Sequence, residues 1–83
     1  MPVYNLSTIY DMLHASFSVR EIDTLAFKLF PRRFNQFGKS MHFSEKIRQI
    51  IMMAEQNGRL PEVIAYTQKH NPYQYKRFAD HLE

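Results

Sequence analysis

"NGRLPEVIAYTQKHNPYQYKRF", residues 57–78, holds two prolines, Pro61 and Pro72, each placed to begin a helix just after another has ended. Gly58 accepts the left-handed backbone that closes a helix. Asn71 is a good N-cap, and Pro72 behind it takes a first-turn position where no backbone N–H is needed. Between these signals, Pro61 begins a helix with Leu60, Val63, Ile64 and Thr67 on one face. The helix after Asn71 turns Tyr75, Phe78, Ala79 and Leu82 inward. Joints of so few residues force consecutive helices into neighbouring, antiparallel or sharply angled positions. The stretch therefore predicts a compact helical bundle, and the upstream sequence agrees.

Ser7 reads as the N-cap of a first helix running to about Ser16, with Ile9, Met12 and Leu13 at helical spacing. Ser18 and Glu21 form the S-x-x-E capping box of a second, whose apolar stripe is Ile22, Leu25, Ala26 and Leu29. Pro31 ends it, because proline disfavours helical geometry in Phe30 and cannot donate the bond that a continuing helix needs. "PRRFNQF" suits a short third helix with Pro31 at its first position and Gly38 closing it. A fourth helix starts at Ser44, carries Ile47, Ile50, Ile51 and Ala54, and stops at Gly58. With those begun at Pro61 and Asn71, the count is six, and no strand signal or repeat interrupts them.

The totals set limits. A chain of 83 residues buries only about 60–65% of the surface its unfolded form exposes, so it supports one core. Apolar residues make up 45% and there are only two glycines, which places the chain in the globular class. Without cysteine there is neither a disulfide framework nor a thiolate metal site, and a reducing, cytoplasmic setting is the expectation. The longest apolar run, "IIMMA" at 50–54, is far below the roughly 20 residues of a bilayer span, so no membrane partner is expected. Eleven Lys and Arg against eight Asp and Glu give a net charge of +3, with the signs interspersed. Phosphate binding needs clustered cations, and the one adjacent pair is Arg32-Arg33, so nucleic acid is a weak candidate.

Reactive groups do not assemble in the sequence. Ser7, Ser18 and Ser44 are accounted for as caps, and Asp11 with His14 reads as a surface pair one turn apart. His14, His42, His70 and His81 match no compact metal spacing, and Gly38 and Gly58 are helix stops rather than a phosphate loop. No catalytic residue, cofactor or metal is expected. Phe17, Phe27, Phe30, Phe34, Phe37, Phe43, Tyr66 and Tyr73 read mainly as core and corner fillers. Met52 and Met53 read as adaptable fillers too, in preference to a pliable contact patch.

In order, "IYDMLHASFSVREIDTLAFKLFPRRFNQF" and "SEKIRQIIMMAEQNGRLPEVIAYTQKHNP" resemble the prokaryotic effector-associated, or bacterial death-like, domains, relatives of the death-domain superfamily. The resemblance rests on "SFSVREIDTLAFKLF", the F-N-Q-F segment and the "GRLPEVIAYTQKHNP" end, and covers roughly residues 6–78. It implies an all-α, six-helix antiparallel, death-fold-like bundle over 1–83, the N-terminal module of a longer protein. It implies a non-catalytic adaptor that pairs with a like domain fused to a protease, a nucleotide-binding ATPase or a TIR module in bacterial immunity. Two positions depart from the common pattern: Ala26, where many relatives carry cysteine, and Pro61, where an acidic or polar residue usually follows "GRL". Both substitutions suit a helix.

The residues offered for docking come from charge and ring placement, not from the resemblance. Arg32, Arg33 and Lys39 would face acids such as Glu21, Asp23 or Glu62 on a neighbour, while Tyr73 beside Lys69, Lys76 and Arg77 would give an aromatic and cationic mixture. The partner is then a like domain or a second copy in a homo-oligomer. The alternative is a small basic nucleic-acid-binding domain using "PRRFNQFGK" or "YQYKRF".

Overall fold

The computed structural model describes residues 3–33 and 41–83. These residues form five α-helices: α1 (Leu6–Ser16), α2 (Val19–Leu29), α3 (Phe43–Gln56), α4 (Leu60–His70) and α5 (Pro72–Phe78), followed by a 3₁₀ turn over Ala79–His81. No strand occurs among the described residues. Of the expected third helix, Pro31–Arg33 form a turn, closed by Arg33 N–H donating to Phe30 O at 3.0 Å, and the remainder lies outside the described residues.

Each boundary has a local cause. At α2 both halves of the capping box are made: Ser18 N–H donates to Glu21 Oε1 at 2.9 Å, and Glu21 N–H donates to Ser18 Oγ at 3.3 Å. At the end of α3, Gly58 takes φ 67°, and two bonds run back into the helix, Arg59 N–H to Ala54 O at 2.7 Å and Gly58 N–H to Glu55 O at 3.3 Å. That pair is the Schellman closure, which uses up carbonyls the helix end would leave unpaired.

Asn71 serves two helices at once. Its Oδ1 accepts from Gln74 N–H at 3.3 Å to cap α5, and its Nδ2 donates to Ser16 O at 2.9 Å, tying that cap to the end of α1. The chain ends meet as well, with Asn5 N–H donating to Leu82 O at 2.7 Å.

Four stripes supply the core. Ile9, Met12 and Leu13 of α1, Ile22, Leu25 and Ala26 of α2, Ile47, Ile50 and Ala54 of α3 and Val63 of α4 are fully enclosed, with Phe17, Phe30, Leu60 and Leu82 closing the corners. Thr67 is also enclosed, and its hydroxyl is satisfied by Val63 O at 3.1 Å. α3 is central, packing against α1, α2 and α4.

Several sequence expectations need correction. Asn5, not Ser7, caps α1, its side chain accepting from Thr8 N–H at 3.2 Å, because the bond to Leu82 already holds the chain there. α3 starts at Phe43 with His42 at the cap position, so Ser44 lies inside the helix. α4 begins at Leu60, one residue before Pro61. The last helix tightens into 3₁₀ geometry after Phe78, so Tyr75, Phe78 and Ala79 are only half-buried while Leu82 is enclosed. Met53 is buried but Met52 is 52% exposed, since neighbours on a helix diverge by about 100° and only one can face the core. Phe27 is 59% exposed because it falls beside the Ile22, Leu25, Ala26 stripe rather than on it. His14 packs against Phe43 with ring centroids 4.9 Å apart, and Tyr10 lies 6.0 Å away, a ring contact in place of the expected pair with Asp11.

Candidate interaction surface

The turn after α2 carries the first group of candidates. Pro31 ends the helix and the following turn leaves Arg32 and Arg33 exposed. Facing them is the Schellman turn, which sets Arg59. Its guanidinium lies over the Phe30 ring, 4.8 Å from the centroid, and Nη1 donates to Leu29 O. Nε and Nη2 both reach Glu62 Oε2, at 2.8 and 2.6 Å. Between the two turns runs a groove of about 580 Å³ lined by Lys28, Leu29, Phe30, Pro31, Arg32, Arg33, Asn57 and Arg59. Lys28 and Arg59 escaped the sequence reading because they join Arg32 and Arg33 only through the meeting of two turns distant in the chain. Lys39 lies outside the described residues.

The acidic candidates are each engaged inside the domain. Asp23 accepts from Lys46 Nζ at 2.9 and 3.2 Å, linking α2 to α3. Glu62 holds Arg59. Glu21 is fixed by the Ser18 box, and acceptance of the Ser18 backbone N–H, then of its hydroxyl, with a smaller contribution from His70, keeps its carboxyl below the usual carboxylate range. Tyr66, close enough to feel the Glu21 charge, is shifted the other way, first by burial and then by that charge.

A folded-state pKa held below its unfolded value contributes stability that is complete above the unfolded value and lost as pH falls through the folded one. Acidification below about pH 4.5 is therefore expected to erode the α2 cap. Glu21→Gln keeps an acceptor for Ser18 N–H but cannot titrate. Thermal midpoints followed from about pH 7 to about pH 3 should fall less steeply in the variant below that point.

On α4 and α5 the candidates are exposed. Tyr73 shows 73% of its surface, and Lys69, Lys76 and Arg77 are open to solvent. Arg77 donates to Gln74 Oε1 at 3.0 Å and lies 5.7 Å from the centre of the Phe78 ring. Behind them Tyr66 stacks with His70 at 4.1 Å and meets Phe17 at 5.8 Å. A third surface, missed in the sequence because Met52 reads as core, is an apolar groove of about 500 Å³ between α1 and α3, with Leu6, Tyr10, Ile51 and Met52 in its walls.

Among the described residues no group of three or more His, Asp or Glu side chains is placed to hold a metal ion, and no helix is long and apolar enough to cross a membrane. The described residues form a small helical domain whose distinguishing chemistry is the charge and ring pattern of its surface. The chain belongs to the effector-associated domain 7 family, whose model matches residues 9–72, from the α1 stripe to the Asn71-Pro72 start of α5. No curated protein and no solved structure matches it.

Proposed function

We propose that this domain is a non-catalytic interaction module of bacterial immune, antiphage signalling, acting in the cytoplasm as one unit of a longer protein. It associates with a like, death-fold-type domain and so recruits or regulates a fused effector such as a protease, a NACHT-type ATPase or a TIR module. The observation that carries this reading is the match of residues 9–72 to the effector-associated domain 7 family, whose description supports a role beside an effector. The exposed cations and the exposed Tyr73 ring support it, because arginine and tyrosine are the residue types enriched at protein interfaces.

The test mixes the purified protein with the like domains encoded beside its gene and follows mass by light scattering across concentration and salt. Association with at least one of them, on the order of micromolar and weakened by salt, is the expected result. A protein that stays monomeric at high concentration and low salt and takes none of those domains refutes the reading.

The cations gathered around one groove favour a second reading, a nucleic-acid-binding domain. It requires an affinity for oligonucleotides that falls steeply with salt, with little regard to sequence.

A further inference from the structure

The geometry points to the groove between the α2 turn and the α3–α4 turn as a docking site for an acidic peptide segment of a different protein, one bearing an apolar residue between its carboxylates. The inference rests on the reading of the domain as an interaction module and names the partner's chemistry.

Three observations carry it. The groove is concave and about 580 Å³, within the roughly 300–1,000 Å³ of sites that enclose small ligands, so it suits a few side chains of a segment better than the broad face of a folded domain. Its walls combine Lys28, Arg32, Arg33 and Arg59 with the apolar surface of Leu29, Phe30 and Pro31, and no acid is among the described residues lining it. One lining guanidinium already holds a carboxylate: Arg59 grips Glu62 through Nε and Nη2, the kind of contact that Arg32 and Arg33 offer to incoming acids. Lys28, Arg32 and Arg33 make no side-chain hydrogen bond or ion pair with another described residue and are the cations left for that role, the two arginines being the ones able to grip a carboxylate in the same forked way.

A second copy fits the groove poorly. Asp23, Glu21 and Glu62 are engaged with Lys46, Ser18 and Arg59. The other acids, Asp11, Glu45, Glu55, Asp80 and Glu83, are scattered over α1, both ends of α3 and the C-terminal turn. Charge complementarity therefore selects a partner unlike this chain in its acid content.

Fluorescence polarisation of a labelled Glu-Leu-Glu-Glu-Leu-Glu peptide tests this, with a Gln-Leu-Gln-Gln-Leu-Gln peptide and a single-stranded DNA oligonucleotide of equal charge as controls. Arg32→Gln/Arg33→Gln is expected to weaken binding of the acidic peptide about tenfold or more, while Arg32→Lys/Arg33→Lys retains most of it. Circular dichroism checks that both variants fold, as exposed turn positions should allow. Equal binding of the Gln peptide, no loss in the Gln variant, tighter binding of the DNA, or self-association that the Gln variant abolishes would each overturn the assignment. Capture of a like domain that is unchanged in the Gln variant sinks the groove and leaves the interaction module standing. Peptide binding without capture of any like domain refutes the pairing with a like domain and leaves the groove, and with it the interaction module, standing.

Discussion

Replacing Ile50 with alanine is expected to lower the unfolding free energy by about 3 kcal/mol, within the 2–5 kcal/mol range for truncating a buried Ile to Ala. Ile50 is fully enclosed on α3, the helix that packs on α1, α2 and α4. With helices around it, no single neighbour can move in to fill the space, so the lost transfer energy and the cavity add. Chains of this size hold roughly 4–12 kcal/mol in all, and the loss is a large share of it. Met52→Ala, two residues along the same helix but half exposed, is the control and should cost well under about 1 kcal/mol. Urea melts decide: the midpoint should drop sharply for Ile50→Ala with an unchanged slope and move little for Met52→Ala. Equal shifts would mean that α3 is not the centre of the core.

The part of this architecture that was legible is the part written in local chemistry. The Ser18–Glu21 box, Gly58 and the Asn71-Pro72 start each satisfy unpaired helix-end groups within a few residues, and the sequence reading finds all of them. The interior stripes of α2 and α3 follow from helical spacing alone. What escaped is set by residues far away in the chain. Asn5 wins over Ser7 as a cap through a bond to Leu82, and α3 begins at Phe43, whose ring lies against His14. Asp23 reads as a docking acid until Lys46 of α3 is seen holding it. The groove is hidden for the same reason: Arg32 and Arg33 read as a docking pair from the sequence, but nothing there shows that two turns bring Lys28 and Arg59 beside them.

The Asp23–Lys46 pair carries the second large effect. Lys46 is a buried lysine, with 10% of its side chain exposed, and its ammonium meets both carboxylate oxygens of Asp23, itself 35% exposed. Asp23→Ala leaves that ammonium short of water and of a counter-charge, which is expected to cost about 2 kcal/mol. That is less than the 3–5 kcal/mol of a fully buried pair, because solvent reaches the Asp23 side. Adding Lys46→Met removes the stranded charge while keeping most of the apolar stem, so Asp23→Ala/Lys46→Met should recover most of the loss. Lys46→Met alone should cost less than Asp23→Ala alone, since it strands a carboxylate that water can still solvate. This ordering separates a desolvation effect from simple attraction, under which both single variants and the double variant would lose about the same amount. Denaturant melts of the four proteins close the cycle. A double variant as unstable as Asp23→Ala would show that the α2–α3 link depends on attraction between the two charges rather than on relief of a stranded lysine.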